Sequence, residues 1–350
     1  MTQTLDALLV GDIWPMPLSP GSLLKHLGLE QQPDIFVATL DASMTGGASR
    51  ENQTLLTFDE GDLESYRLGR ENVWVTASNH ITDFGDEGFA ATKAALDKHG
   101  FQHVGAGENI REAARPLILT GAFGRVGILA YAEEHPRCGA IAADEANPGA
   151  NPYRRDAALK SIRTLREEVD SVWVILHWGE EFVRYPDREQ KSEARQMIEA
   201  GADLVVGGHT HVPMGYEDYL HGQIFYGLGN FVFRPFPHNQ GYLFHWHPLA
   251  RHGVALRGQF SNAKWRFEPF GVEVLPDGTP RRTSTVKCQN YGHNPLWTDD
   301  RYNALFPLLR KEQRAVHYAQ RLLYMTNEER AFRLRKVWSR LSNSRSSHRG

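Results

Sequence analysis

"ADLVVGGHTH", residues 202–211, is a short apolar run followed by two glycines and then by His209 and His211. A His-x-His pair just past a buried strand puts two imidazoles near one point. Joined by carboxylates and an amide oxygen, such a pair suits a borderline divalent ion such as Zn, Mn or Fe. The competing reading is two histidines in an ordinary turn, because a lone histidine is more often a satisfied polar residue than a ligand. The rest of the chain bears on the choice by repeating the pattern. "LDALLVGD" ends at Asp12, "DIFVATLD" at Asp41, and "NVWVTASNH" at Asn79 and His80. "SVWVILHWGEE" reaches His177 and then Glu180 and Glu181.

These runs are rich in Val, Ile, Leu and aromatics, as expected of strands buried on both faces. Between them lie helical patterns at 86–99, 153–169 and 187–200, with Gly201 placed to end the last. Strand–helix alternation predicts an α/β layered fold, and in such folds ligands bind beyond the carboxyl ends of the strands. Five polar strand ends therefore converge on one predicted site. After residue 222 the pattern changes. "QIFYGLGNFVF" reads as two short strands around a glycine turn, and 241–275 as antiparallel sheet with "SNAK" and "PDGT" as turns. Residues 301–342 read as helices, with "TNEE" as a capping box, and 343–350 as a disordered tail.

The chain has 350 residues, 41% hydrophobic and 23% charged, with a net charge of −3. That is the balance of an ordinary globule, and it offers no global polycation for nucleic acid. Locally, residues 310–349 hold eleven Lys/Arg against three Glu. Two cysteines, Cys138 and Cys288, make neither a disulfide framework nor a zinc ribbon. The first residues lack the basic and apolar regions of a signal peptide, and no apolar stretch approaches the ~20 residues of a membrane span. The expectation is a cytoplasmic protein without a membrane span.

The motifs resemble those of the CapA family, the poly-γ-glutamate and capsule synthesis proteins of the calcineurin-like metallophosphoesterase superfamily. The matching stretches are "VGD" at 10–12, "ASNHITDFGDEGFAAT" at 77–92, "VGAGEN" at 104–109, "VILHWGEEF" at 174–182, and "EAGADLVVGGHTHVPMGYEDYLHGQIFYGLGNFVF" at 199–233. The resemblance runs from about residue 5 to residue 280 and leaves the tail uncovered. It implies a two-sheet sandwich flanked by helices, four layers ordered αββα, over residues 1–290, while residues 291–342 are read from their own pattern as a helical basic extension. It also implies one or two divalent ions (Mn, Zn, Fe or Ca) at the sheet edges. By position, Asp12, Asp41, Asn79, His177, His209 and His211 would be the ligands. His80 would face the substrate as an acid or base. With the ligand positions matched in this way, the reading of His209 and His211 as ligands is preferred over the turn.

Three departures stand out. Where the superfamily commonly has Asp-x-His, this chain has Asp12-Ile13-Trp14, and Trp14 cannot ligate. Thr39-Leu40-Asp41 replaces Asn-Leu-Glu, and Thr210 replaces the proline of His-Pro-His. Asp83 either orients His80 or caps the following helix. Of Glu180 and Glu181, one is expected to orient an imidazole and the other to be solvated. His245 and His247 in "HWH" and the lone His293 read as structural, and "GAGEN" as only a turn. Metal affinity is expected to weaken as the histidines protonate below about pH 6.

Three functions remain open. The first is a hydrolase acting on a phosphoester or a polyglutamate- or peptide-type substrate. The second is a peptide epimerase of the kind known among CapA-like proteins of ribosomal peptide biosynthesis, with His80 and Asp83 on one side of the carbon and Asp12 or His293 on the other. The third is a non-catalytic assembly factor holding an anionic polymer. The basic tail, with Arg330, Arg333, Lys336 and Arg340, is either a packed helical element or a docking surface for an anionic partner.

Overall fold

The computed structural model describes residues 5–19, 21–49, 55–134, 136–238, 242–244, 246, 248–291 and 299–324. His245, His247, His293 and everything beyond 324, including the "TNEE" capping box and the tail arginines, lie outside the described residues.

Two sheets form the centre. In the larger, Leu5–Ile13 runs parallel to Ile35–Leu40, which runs parallel to Glu71–Val75 and then Gln102–Val104. On its other side Leu5–Ile13 pairs antiparallel with His252–Ser261, followed by Lys264–Val274 and Pro280–Thr283. In the smaller sheet Gly124–Ala132, Ser171–His177, Leu204–Gly208 and Gly222–Phe225 are parallel. Leu117–Gly121 and Tyr216–Tyr219 are its antiparallel edges. Every residue of Ile35–Leu40, Ser171–His177 and Leu204–Gly208 is buried, as continuous apolar strands covered on both faces must be.

The inner faces meet around Trp173, fully buried on the smaller sheet. Its ring packs edge-on against Trp265 at 5.4 Å and Phe267 at 5.3 Å on the larger one. Each such pair adds about 0.5–1.5 kcal/mol beyond the area it buries. The outer face of the smaller sheet is covered by Arg155–Arg166, through Ala158, Leu159, Ile162 and Leu165, and by Arg188–Glu199, through Ala194, Met197 and Ile198. On the larger sheet Gly85–Lys98 buries Phe89, Ala95 and Leu96. The order is therefore αββα, as expected. Helix 188–199 shows why its ends were readable. Asp187 and Gln190 form a reciprocal capping box at 2.8 and 3.0 Å. Gly201 (φ 117°) closes the other end, with Gly201 N–H on Ile198 O and Ala202 N–H on Met197 O.

The later segments refine the expectations. "QIFYGLGNFVF" does contain two short strands, but Gly222–Phe225 belongs to the smaller sheet and Asn230–Val232 pairs with Leu5–Ile13 in the larger. The glycine-containing link between them crosses from one sheet to the other. "SNAK" is a tight hairpin turn, with Asn262 and Ala263 both at positive φ. "GAGEN" is more than a turn. Ala106–Gly107 pairs with Gly149–Ala150, and Asn109 caps the helix Ile110–Ala113 with two bonds of 3.1 Å.

The helix Asp299–Tyr324 docks on the smaller-sheet side. Tyr302 is buried with its hydroxyl on Pro186 O, and Phe306 and Leu309 pack on the same cluster. Among the described residues no helix is long and apolar enough to cross a membrane.

Candidate metal centre

The carboxyl ends of the parallel strands of both sheets point the same way and meet. His177 is the last residue of its strand and stands in register with Gly208 and Ala132. Asp41 and His209 each follow their strands by one residue, and Asn79 lies four past Val75. Asp12 differs from expectation in lying inside its strand, at a register irregularity shared by both parallel neighbours. Such a bulge re-aims a side chain. It turns the Asp12 carboxylate across the gap between sheets, where Oδ2 accepts from His209 N–H at 3.0 Å.

The two glycines of the opening motif are demanded by this closeness. A Cβ on Gly207 would stand 2.0 Å from Tyr226 O, and one on Gly208 would stand 2.7 Å from Asp12 Oδ1. His209 and His211 themselves take positive φ, 78° and 55°. Left-handed backbone at two non-glycine residues costs free energy and clusters at functional sites.

All six expected ligand residues are brought together, each at most 7% exposed. His177 Nε2 lies 2.8 Å from Asn79 Oδ1 and 3.4 Å from Asp41 Oδ1, and its Nδ1 is 3.8 Å from Asp12 Oδ1. The His177 and His209 rings are 4.9 Å apart. His211 Nδ1 is 3.9 Å from Asp12 Oδ2. Among the described residues Asp12 Oδ1, both Asp41 oxygens, His177 Nδ1 and both His209 nitrogens find no partner in full hydrogen-bond geometry. Buried charges are paired or coordinate a metal. Mixed carboxylate, amide and imidazole donors, left open and facing one another, fit a divalent cation.

Electrostatics agree. Burial, with Asp41 beside it, pushes the Asp12 carboxyl up to about 7. Burial likewise raises Asp41, to about 6, against the pull of His80. Burial and the neighbouring imidazoles hold His177 and His209 well below the ordinary histidine value. The same burial that raises the two carboxyls therefore lowers these two imidazoles.

His80 sits beside this cluster. Its Nδ1 lies 2.7 Å from Asp83 Oδ2, which also accepts from Leu56 N–H at 3.0 Å. Asp83 therefore orients the ring. The following helix takes Phe84 as N-cap with no side-chain cap. Desolvation alone would lower His80, but Asp83 and Asp41 outweigh it and raise it to about 9. Among the described residues neither Glu180 nor Glu181 hydrogen-bonds an imidazole. Glu180 takes Arg310 at 2.7 Å and Arg314 at 2.6 Å from the docked helix, and Glu181 is exposed. The imidazoles instead meet amide oxygens, Asn79 for His177 and Asn230 for His211, the latter at 2.8 Å.

Two residues escaped the sequence reading. Asn230 hides in an apolar strand, and its only signal is a polar residue where alternation predicts none. Cys138 follows a buried strand by six residues, and no role was assigned to it from the sequence. Its thiol, pushed well up by burial, stands with His177 and His209. A cavity of about 530 Å³, lined by Pro136, Arg137, Glu180, Met214, Arg310 and Arg314, adjoins this loop without including the six expected ligands.

The profile of the bacterial capsule synthesis protein PGA_cap matches residues 22–235. The chain belongs to this family. Membership expected from the motifs is thereby borne out, although Asp12 precedes the matched stretch. The chain is 38% identical over 182 residues to the capsule biosynthesis protein CapA of Bacillus anthracis, covering 51% of this chain and 44% of that one. It is 33% identical over 159 residues to the PGA biosynthesis protein CapA of Bacillus subtilis, covering 45% and 41%. A probable polyglutamine synthesis accessory protein of Mycobacterium tuberculosis is 34% identical over 173 residues, 47% of this chain and 45% of that one. The matches thus span less than half the length of these curated relatives. Among solved structures, a phosphatase from Mycoplasma pneumoniae aligns with 78% of this chain and 95% of its own, at 11% identity and a TM-score of 0.46.

Proposed function

We propose that this PGA_cap protein is a metal-dependent hydrolase acting on a phosphoester or a polyglutamate- or peptide-type substrate in capsule or poly-γ-glutamate metabolism. The observation that carries the reading is the cluster of buried, unpartnered donors from Asp12, Asp41, His177 and His209. Asp12, Asp41, Asn79, His177, His209 and His211 would hold the ion. A divalent ion there supplies a Lewis acid and a water of lowered pKa. The protein's own groups do the rest. Asp83 fixes Nδ1 of His80, so Nε2 is the nitrogen that presents a proton to a leaving oxygen or nitrogen. The buried walls exclude bulk water from the reacting bond. The names of the curated relatives, PGA biosynthesis in one and polyglutamine synthesis in another, favour a polymeric substrate among the candidates.

The epimerase reading needs two acid/base groups flanking one carbon. His80 serves as one. Asp12 is drawn into the cluster by His209 N–H, and His293 lies outside the described residues. The assembly-factor reading needs only affinity for the polymer. The basic tail beyond 324 is a proposed docking element for such a polyanion. Arg310 and Arg314, at its inner end, are already engaged with Glu180.

The test is an assay of protein loaded with Mn2+ or Zn2+ on poly-γ-glutamate, on a phosphomonoester, and on a peptide in deuterated water. Chain shortening or phosphate release is expected. Deuterium incorporation at Cα without cleavage would replace hydrolysis with epimerisation. Stoichiometric metal and salt-sensitive polymer binding, with no turnover, would leave the assembly role.

A further inference from the structure

Cys138 is carried by a tied loop. Ala140 N–H donates to Glu133 O at 3.1 Å, bringing the chain back to the end of its strand, and Gly139 (φ 82°) turns the chain just after the cysteine. The loop leaves the strand whose last residue, Ala132, is in register with His177. The return therefore folds over the strand end that bears that histidine.

There the thiol is buried and unpaired with any other cysteine. Its Sγ and one ring nitrogen from each of His177 and His209 all lie within 4.8 Å of one another. His209 supplies a second, independent observation. It is fully buried, and among the described residues neither ring nitrogen meets a partner in full hydrogen-bond geometry, although the Arg137 backbone lies close by. A second trio, Asp12, Asp41 and His211, is gathered within the same span. The two trios differ in chemistry, one sulfur with two nitrogens against two carboxylates with one nitrogen.

We propose that Cys138 is a thiolate ligand, holding with His177 and His209 an ion of the zinc class beside a harder, oxygen-rich position formed by Asp12, Asp41 and His211. The proposal rests on the metal-dependent reading above and adds to it the residue that selects the ion. Soft thiolate with imidazole prefers Zn2+, Co2+ or Fe2+, whereas carboxylates accept Mn2+, Mg2+ or Ca2+. Binding releases the thiol proton to solvent and forms one metal–sulfur bond, with no change of oxidation state. Two positions of unlike hardness would let one centre hold two different ions. Cys288 is the internal control. It is half-buried, donates to Met214 O at 3.4 Å, and belongs to no such trio.

The test is optical. Metal-free protein is titrated with Co2+, with bound cobalt counted by elemental analysis. Wild type and Cys288→Ser should develop a near-ultraviolet sulfur-to-cobalt charge-transfer band that saturates at one ion per chain. Cys138→Ser should lack the band while still taking up metal at the oxygen-rich position. Its Zn2+ affinity should fall more than ~10-fold, the least that even an outer partner of a ligand costs, with Mn2+ affinity unchanged. Cobalt bound to wild type without the band overturns the assignment and leaves the metal-dependent reading standing, as does a band that survives in Cys138→Ser. Failure of wild type to bind any of these ions overturns both. The wild-type spectrum decides the matter even if the variant does not fold.

Discussion

The Asn230 amide oxygen lies 2.8 Å from His211 Nδ1, while the same side chain's Nδ2 donates to Ala250 O at 2.9 Å. The second bond fixes the amide, and the amide fixes the imidazole. Nδ1 must carry the hydrogen, and Nε2 keeps the lone pair. Outer partners of this kind are worth ~10–100-fold in metal affinity. Asn230→Ala is therefore expected to weaken metal binding by that factor, with a stability loss of about 1–3 kcal/mol from the groups left unpaired. Chelator competition and thermal melting measure the two effects separately. Unchanged affinity would remove Asn230 from the site.

His80 and Asp83 should separate chemistry from metal retention. His80→Ala is expected to keep its metal and lose about 100-fold or more in turnover, the scale of a missing general acid or base. Asp83→Asn, which keeps the shape but not the charge, should shift the pH profile toward lower pH, because the anion that favours protonated His80 is gone. Loss of metal from a folded His80→Ala would make His80 a ligand instead.

Proton competition sets the pH dependence of loading. In the metal-free protein Asp12 and Asp41 hold protons up to about 7 and about 6. An incoming ion must displace them, so affinity rises with pH through that window and levels off above it. The same raised carboxyls stabilise the metal-free fold below the unfolded value of 3.8, and that contribution is lost as pH rises through about 6 to 7. The stabilisation conferred by metal should thus grow across this interval. Melting curves with and without Mn2+ from about pH 5.5 to about pH 8.5 would show it. A metal-induced shift that is flat across the window would contradict the assignment.

Gly208→Ala tests the steric argument for the double glycine. The added methyl would meet Asp12 Oδ1 at 2.7 Å, and the carboxylate has to move. Metal content should fall sharply, with a stability cost of about 1–3 kcal/mol from overpacking. Full metal occupancy in this variant would mean that Asp12 is not needed at the centre.

Much of this architecture was visible in the residues. Strands buried on both faces announce themselves as continuous Val/Ile/Leu runs, and their polar ends, Asp41, His177 and His209, mark the site because parallel strands share a direction. What escaped depends on contacts that no local pattern encodes. The Asp12 side chain is redirected by an irregularity in pairing with two partners. Asn230 acts from a strand that looked like the second half of a hairpin but belongs to the other sheet. Cys138 reaches the site by a loop tied by non-local contacts, among them Glu133 N–H on His177 O and the Arg137–Asp187 ion pair. Glu180 was read as an imidazole partner or a solvated charge, because its arginine partners lie 130 and 134 residues away.

The strand Leu5–Ile13 lies in the middle of its sheet, and its two sides are claimed at very different times. Ile35–Leu40 can pair with it early in synthesis, but Asn230–Val232 and His252–Ser261, which cover the other side, emerge from the ribosome only after most of the chain. Until then a flat apolar edge stands open to any neighbouring strand, a hazard that long-range pairing makes slow to resolve. Asp12 sits on that edge, and its Cα partner across it is Asn230. A chain stopped before residue 230 would carry His177 in its strand, Asp41, Asn79, His209 and His211 just past the ends of theirs, and Asp12 on an unfinished border.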